Sequence, residues 1–247
     1  MNPLKYRLAQ LVSSAQRAKP EYDLHRRVLM YHSVNQSSDG DTYSISERNF
    51  AAHVDLLAEH CDSENSKIVS LDSASKSGVT ITFDDGYRDT LTVAAKILGA
   101  KKMPFTVFVT SQNITSGNSN YLSQSQLIEL SEIPGVTIGS HGHSHIHLAE
   151  STSSEVHNEL RQSKDWLEQT IQKAVTTLSY PHGSFNAEVV RLASDAGYKF
   201  AATSEWGVYQ VGTRPLEIPR IDVWGPDTKR TLQQKLCGKW SWIAGFI

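Results

Sequence analysis

Short apolar segments rich in Val, Ile, Phe and Thr recur along the chain, and segments with helical periodicity lie between them. Apolar runs of this length are typical of buried strands, whereas apolar positions three and four residues apart are typical of helices packed on one face. The pattern predicts seven strands, at 27–34, 79–85, 104–109, 136–141, 176–181, 200–204 and 217–223. It predicts helices at 47–61, 88–99, 123–132, 153–173, 186–196 and 228–237.

Alternating strands and helices predict an α/β fold with a parallel sheet, because parallel neighbours need a crossover connection. Seven strands favour a closed or nearly closed βα barrel over an open sheet. We expect a leader helix within residues 1–22 and one barrel domain at 23–247. The polar stretch 111–120 is predicted to be a loop.

Composition excludes several classes of protein. The chain has 24 Lys and Arg against 26 Asp and Glu, so a nucleic-acid binder that neutralises phosphates is not expected. No apolar run is long enough to span a membrane, and residues 1–19 lack the apolar centre of a secretion signal. Cys61 and Cys237 cannot form a disulfide framework. These features lead us to expect a protein located in the cytoplasm, with the membrane surface as the alternative location.

The ends of the predicted strands carry polar groups, and the active site of a βα barrel lies at the C-terminal ends of its strands. Strand 79–85 ends in Asp84 and Asp85, followed by Gly86. Two adjacent carboxylates at a strand end point in different directions. One of them can therefore bind a metal while the other faces a bound water.

Four histidines fall within residues 141–147. His141 ends a predicted strand and His145 follows four residues later, a spacing that brings both imidazoles to one side if the chain turns helically. His143 and His147 have the same spacing, so both pairings remain open. One aspartate and two histidines would leave coordination positions open, as in catalytic zinc sites.

Two further strands end in candidate groups. His32 ends the first predicted strand, although a lone histidine on an apolar strand is more often structural. Strand 176–181 ends in Tyr180 and Pro181, before His182 and Gly183. A backbone N–H in such a turn can stabilise an oxyanion.

The segments Thr82–Tyr87 and Gly139–His145 strongly resemble the first two motifs of the NodB-type polysaccharide deacetylases, carbohydrate esterase family 4. The resemblance implies a distorted (β/α)7 barrel with one divalent transition metal, Zn²⁺ foremost and Co²⁺ or Ni²⁺ as alternatives. It implies that Asp85, His141 and His145 bind this metal and that Asp84 is the catalytic base.

The third motif departs from the family pattern, because Ser179 replaces the arginine that steadies the catalytic aspartate. Arg220 is our candidate substitute by position, and a structural salt bridge in the barrel wall is its alternative role. The segment around His32 resembles the circularly permuted branch that acts on poly-N-acetylglucosamine. That resemblance implies His32 as general acid and the backbone N–H of His182 as oxyanion donor.

The resemblance implies metal-dependent removal of N-acetyl groups from a saccharide, either a surface polysaccharide or a lipid-linked glycan, with release of acetate. Hydrolysis of a small non-sugar amide and non-catalytic saccharide binding are the alternatives. Tyr87, Trp206 and Trp224 can stack on sugar rings or can simply pack in the core. The apolar segment 239–247 is expected to pack on the barrel, with weak peripheral membrane contact as the alternative.

Overall fold

Strands and helices alternate along the chain, as the sequence pattern predicts. The computed structural model describes residues 3–19, 21–35, 42–63 and 67–245. Its strands are β1 (Arg26–Tyr31), β2 (Ser33–Asn35), β3 (Ser44–Ser46), β4 (Gly78–Phe83), β5 (Phe105–Val109), β6 (Val136–Ser140), β7 (Thr177–Ser179), β8 (Phe200–Trp206) and β9 (Ile218–Asp222). Its α-helices are α1 (Pro3–Ala15), α2 (Glu21–Leu24), α3 (Glu47–Ser63), α4 (Ala95–Ala100), α5 (Ser111–Thr115), α6 (Gln124–Glu132), α7 (Ser153–Ile171), α8 (Ala187–Asp195) and α9 (Lys229–Leu236).

Seven parallel strands close into a barrel in the order β1, β4, β5, β6, β7, β8 and β9, which confirms the predicted α/β barrel. The barrel is uneven around its circumference. β1 pairs with β4 along its full length, whereas β6 and β7 share only the pair Ser140 and Leu178. The register between β8 and β9 shifts between Ala202 and Trp206. These short and shifted ladders account for the distortion of the barrel.

The first predicted strand, 27–34, is interrupted in the structure. β1 ends at Tyr31, and after His32 the chain enters β2, which pairs with β3 in a separate two-stranded parallel sheet. His32 therefore lies at the C-terminal end of a barrel strand. The other six predicted barrel strands are confirmed, and β8 extends two residues beyond its predicted end.

The predicted helices are confirmed within a few residues at each end. The predicted helix 88–99 starts with a π-helical segment, Thr90–Ala94, before α4. The side chain of Asn186 caps α8 by accepting from the backbone N–H of Val189. The predicted loop 111–120 is wrong in its first half, because Ser111–Thr115 forms a short helix there.

The N-terminal region contains a helix that packs on the barrel domain. The Tyr6 hydroxyl donates to Asp227 Oδ1 at 2.7 Å, and Gln10 donates to Thr231 of α9. Part of the predicted leader, residues 1, 2 and 20, lies outside the described residues, and the division at residue 22 stays a prediction. Within the described ranges, no helix has the length and apolarity needed to cross a bilayer.

The C-terminal segment also packs on the body of the protein. Trp240 and Ile243 are buried, and the indole of Trp242 donates to Ser13 of α1. The last two residues of the predicted segment 239–247 lie outside the described residues.

Gly139 in β6 lies where the barrel interior leaves no room for a side chain. A Cβ atom there would lie 2.5 Å from Thr177 Oγ1 and 2.6 Å from the Phe108 ring. Gly139→Ala is therefore expected to lower the free energy of unfolding by about 1–3 kcal/mol, measured by urea denaturation. Gly99→Ala in α4 is the control, because its Cβ would meet no atom within 4 Å. Removing this helical glycine should raise stability by about 0.5–1 kcal/mol, and equal effects of the two variants would contradict the packing argument.

Candidate active site

One cavity of about 690 Å³ lies at the C-terminal ends of the barrel strands. It brings together ten side chains selected from the sequence: His32, Asp84, Asp85, Tyr87, His141, His145, Tyr180, His182, Arg220 and Trp224. These residues come from strand ends far apart in the chain. Closure of the barrel is what places them around a single space.

The turn after β4 separates its two carboxylates. The backbone N–H of Asp84 donates to Tyr31 O at 3.0 Å, so Asp84 continues the strand pairing. Asp85 and Gly86 then adopt left-handed backbone conformations, with φ of 73° and 77°. This conformation is unfavourable for an aspartate and is typical of functional sites. The resulting turn directs the two carboxylates to different partners.

Asp85, His141 and His145 form a compact cluster of potential metal ligands. Asp85 Oδ1 lies 3.5 Å from His141 Nε2 and 3.3 Å from His145 Nε2, and the two Nε2 atoms are 3.2 Å apart. Ligands about 2.0–2.1 Å from a tetrahedral ion lie about 3.3–3.4 Å from each other. The three atoms therefore have the separation that a tetrahedral zinc-type ion requires.

The surroundings of His141 orient its ring, and a buried carboxylate holds the loop between His141 and His145. His141 Nδ1 lies 2.8 Å from the carbonyl oxygen of Ser179, so Nδ1 carries the proton and Nε2 is free to bind a metal. The histidine loop is held by Glu159, which accepts from the backbone N–H groups of His143 and Ser144. Sequence reasoning missed Glu159, which lies on α7, because nothing in the spacing indicates a contact with this loop.

The alternative histidine pair is not brought together. His143 Nδ1 lies 2.8 Å from Ser111 Oγ, and the His147 ring stacks on His182 with centroids 4.0 Å apart. Among the described residues, the cluster of potential ligands contains neither of them.

Asp84 forms its hydrogen bonds with a guanidinium and a hydroxyl, while His141 Nε2 lies 3.8 Å from its Oδ2. Arg220 Nη1 donates to Asp84 Oδ1 and Arg220 Nη2 donates to Asp84 Oδ2, both at 2.8 Å, and Ser179 Oγ donates to Oδ2 at 3.1 Å. All three side chains are buried. Burial by itself would raise the pKa of Asp84, but the Arg220 guanidinium and His141 hold it well below its usual range. Asp84 therefore stays ionised inside the protein.

His32 faces the same cavity from the end of β1. Its ring lies against Tyr43, with centroids 4.5 Å apart, and its buried Nδ1 has no hydrogen-bond partner among the described residues.

Asp222, at the end of β9, also lines the cavity. Burial raises the pKa of Asp222, while Lys235, Arg220 and His32 act in the opposite direction. Sequence reasoning missed Asp222. A signal was present, because Asp222 lies two residues after the candidate Arg220 and side chains two apart on a strand face the same side.

Comparison with known proteins places the chain in a family. The family model for polysaccharide deacetylases matches residues 72–201, more than half of the chain. The chain belongs to the polysaccharide deacetylase family. The matched region contains Asp84, Asp85, His141 and His145 but neither His32 nor Arg220. The structure, and not the family match, therefore places His32 and Arg220 near the cluster of potential metal ligands.

Two curated proteins and a solved structure show how far this likeness to other polysaccharide deacetylases extends. YxkH of Bacillus subtilis, which is named for the same family, is 31% identical over 186 residues, covering 73% of this chain and 64% of YxkH. The poly-beta-1,6-N-acetyl-D-glucosamine N-deacetylase of Staphylococcus epidermidis is 24% identical, covering 76% of this chain and 71% of that protein. The structure of the Streptococcus pyogenes deacetylase PplD in complex with acetate shares the fold at 21% identity, with a TM-score of 0.73 over 86% of this chain and 98% of that one.

Three other cavity residues of this polysaccharide deacetylase were chosen from the sequence, and each has different neighbours. Tyr87 stacks on Tyr121, with centroids 5.0 Å apart. The Tyr180 hydroxyl donates a hydrogen bond to the Leu216 carbonyl oxygen at 3.0 Å. His182 has a left-handed backbone, with φ of 57°, in the turn Pro181–Gly183.

The two candidate tryptophans differ in position. Trp224 lines the cavity, whereas Trp206 is packed against Trp224, with ring centroids 5.9 Å apart, and does not line it. Both indoles are buried, Trp224 with 2% and Trp206 with 9% of its surface exposed, so packing in the core is the role that the structure gives them.

Proposed function

We propose that this protein is a metal-dependent hydrolase that removes N-acetyl groups from an N-acetylated saccharide and releases acetate. The observation that carries this proposal is the different bonding of two adjacent carboxylates in one cavity. Asp85 lies with two imidazole nitrogens, while Asp84 is paired with Arg220. Metal binding and proton transfer are thereby assigned to separate groups.

The metal-ligand set in the proposal is Asp85, His141 and His145. Their one oxygen and two nitrogen donors suit Zn²⁺, and also Co²⁺ or Ni²⁺. Such an ion, when bound, polarises an amide carbonyl and lowers the pKa of water. The separations between the three donor atoms support this assignment.

The other residues in the proposal move protons and stabilise charge. Asp84 accepts the proton of the attacking water, and Arg220 keeps its carboxylate ionised and oriented. As the water oxygen adds to the acetyl carbon, the backbone N–H of His182 donates to the carbonyl oxygen. His32 then protonates the amide nitrogen, the C–N bond breaks, and acetate and a free amine are released.

A saccharide is the substrate class that we propose, either poly-N-acetylglucosamine or a related surface or lipid-linked glycan. The curated relative from Staphylococcus epidermidis, which is named for poly-β-1,6-N-acetyl-D-glucosamine, supports this choice. The cavity of about 690 Å³ has room for sugar rings, and Tyr43 and Tyr87, which are not buried, offer aromatic surface. Acetate release from soluble β-1,6-linked N-acetylglucosamine oligomers, measured beside a panel of small amides, tests it. Turnover of the small amides alone would contradict the saccharide assignment.

Loss of the Asp85 carboxylate is expected to abolish metal binding, because two imidazoles alone make an incomplete site. Mass spectrometry of metal content should find about one transition metal per wild-type chain and almost none in Asp85→Ala. Asp55→Ala is the matched control, since this exposed carboxylate pairs with Lys101 on the surface. Equal metal content in wild type and Asp85→Ala would remove Asp85 from the ligand set.

A further inference from the structure

Helix α1 turns its apolar side chains away from the protein. Leu4, Leu8, Leu11 and Val12 are between 43% and 70% exposed. At about 100° per residue they form a single stripe along one face of the helix. A helix on the surface of a globular protein normally turns such a stripe toward the core. The stripe, which we call the α1 stripe, is thus an apolar surface that the described part of the chain presents to solvent.

The orientation of α1 is set by contacts on its opposite face. Tyr6, Ala9 and Ser13 are buried there. The Tyr6 ring packs against Trp224 and Trp240, with centroids 6.2 Å and 5.9 Å away, and its hydroxyl binds Asp227. Rotating the helix to bury its leucines would break all of these contacts. The α1 stripe is therefore held outward by specific packing.

The charged residues of the segment that carries the α1 stripe have one sign. Residues 1–20 contain Lys5, Arg7, Arg17 and Lys19 and none of the 26 Asp and Glu residues of the chain. Lys5 and Arg7 lie on the two flanks of the stripe in the helical projection, and both are exposed. Long basic side chains beside an apolar face are typical of helices that lie in a membrane interface, where they reach the lipid headgroups.

We infer that α1 docks this protein onto the surface of a bilayer containing anionic lipids. The α1 stripe enters the boundary between headgroups and acyl chains, and Lys5 and Arg7 contact lipid phosphates. Charge complementarity favours this occupant over a second copy of the chain. In a two-fold dimer the same surface meets itself, so the cations would face each other with no acidic residue on α1 to pair with them.

Docking through α1 places the cavity at the membrane surface. Lys5 lines the cavity, and Tyr6 packs on Trp224, which also lines it. A glycan attached to a lipid, or lying along the bilayer, would then reach the site without leaving the surface. This consequence for the substrate rests on the proposed function, whereas membrane binding itself does not.

Co-sedimentation of the full chain with vesicles tests the inference. We expect binding to vesicles of equal parts phosphatidylglycerol and phosphatidylcholine, and little binding to phosphatidylcholine alone. Leu8→Ser/Leu11→Ser should weaken binding about 10- to 100-fold, because two leucines lose their apolar contact. Arg7→Gln should weaken it about fivefold, because one cation beside the stripe is lost. The matched control is Ile128→Ser/Val211→Ser, which removes exposed apolar side chains on α6 and in the loop before β9 and should change nothing.

Several outcomes would overturn the inference. The inference fails if the wild type does not bind the vesicles or if the leucine variant binds as tightly as the wild type. It also fails if the Ile128/Val211 control loses as much binding as the leucine variant. A wild-type dimer in light scattering that the leucine variant converts to monomer would make the α1 stripe a dimer interface instead. Because the substituted side chains are exposed, unchanged thermal unfolding is expected and checks that each variant is folded. If vesicle binding follows the prediction and no saccharide is deacetylated, only the proposed function fails.

Discussion

Asp84→Asn is expected to lower kcat for acetate release by about 10²–10⁴-fold while metal content stays near the wild-type value. An amide cannot accept the proton of the attacking water at neutral pH, whereas the ionised carboxylate that Arg220 maintains can do so. The metal ligands in the proposal lie on other side chains, so metal binding should survive. Steady-state kinetics together with metal analysis of the same preparation measures both effects.

The controls for Asp84→Asn separate catalysis from folding. Asp55→Asn makes the same chemical change at an exposed position of α3 and should leave kcat unchanged. The Asp84 variant leaves the buried Arg220 without a charged partner, so its circular dichroism and thermal unfolding are compared with those of the wild type. A folded, metal-containing Asp84→Asn protein with near-normal kcat would exclude Asp84 as the catalytic base.

The second large effect concerns stability. Arg220→Met is expected to lower the free energy of unfolding by about 3–5 kcal/mol, because removing one partner of a buried ion pair leaves an uncompensated charge. Asp84 would keep only the Ser179 hydroxyl among the donors described above. Urea unfolding in the presence of a chelator measures the change without a contribution from bound metal.

A surface arginine and a double variant complete this test. Arg214 pairs with Glu217 but is exposed, so Arg214→Met should change stability by at most about 1 kcal/mol. Asp84→Asn/Arg220→Met removes the buried carboxylate charge together with its partner and should cost less than the sum of the single variants. Additive effects, or equal costs for Arg220→Met and Arg214→Met, would contradict a strong Asp84–Arg220 pair.

The limits of sequence reasoning are clearest at the histidines. His141 with His145 and His143 with His147 have identical spacing, so the residues alone left two pairings open. The backbone decides between them, because Gly142 and His145 adopt left-handed conformations and Glu159 holds the loop between them. Neither the choice of φ nor the position of Glu159 on α7 follows from local periodicity.

Helix α1 shows the same limit for packing. Its apolar spacing is plain in the sequence, and a leader helix was predicted there. Which face contacts the protein was not predictable, since the contact depends on the fit of Tyr6 against two tryptophans that lie more than 200 residues away. The usual rule that the apolar stripe faces inward gives the wrong orientation.

By itself, the sequence determined the alternation of strands and helices, the barrel class and the polar groups at the strand ends. These are local properties, because side-chain periodicity follows from the backbone geometry of each element. Only the tertiary structure decided that Arg220 pairs with Asp84, 136 residues away, and that Asp222 joins the cavity. Barrel closure sets such pairings, since neighbours across a closed sheet depend on the stagger of all its strands together.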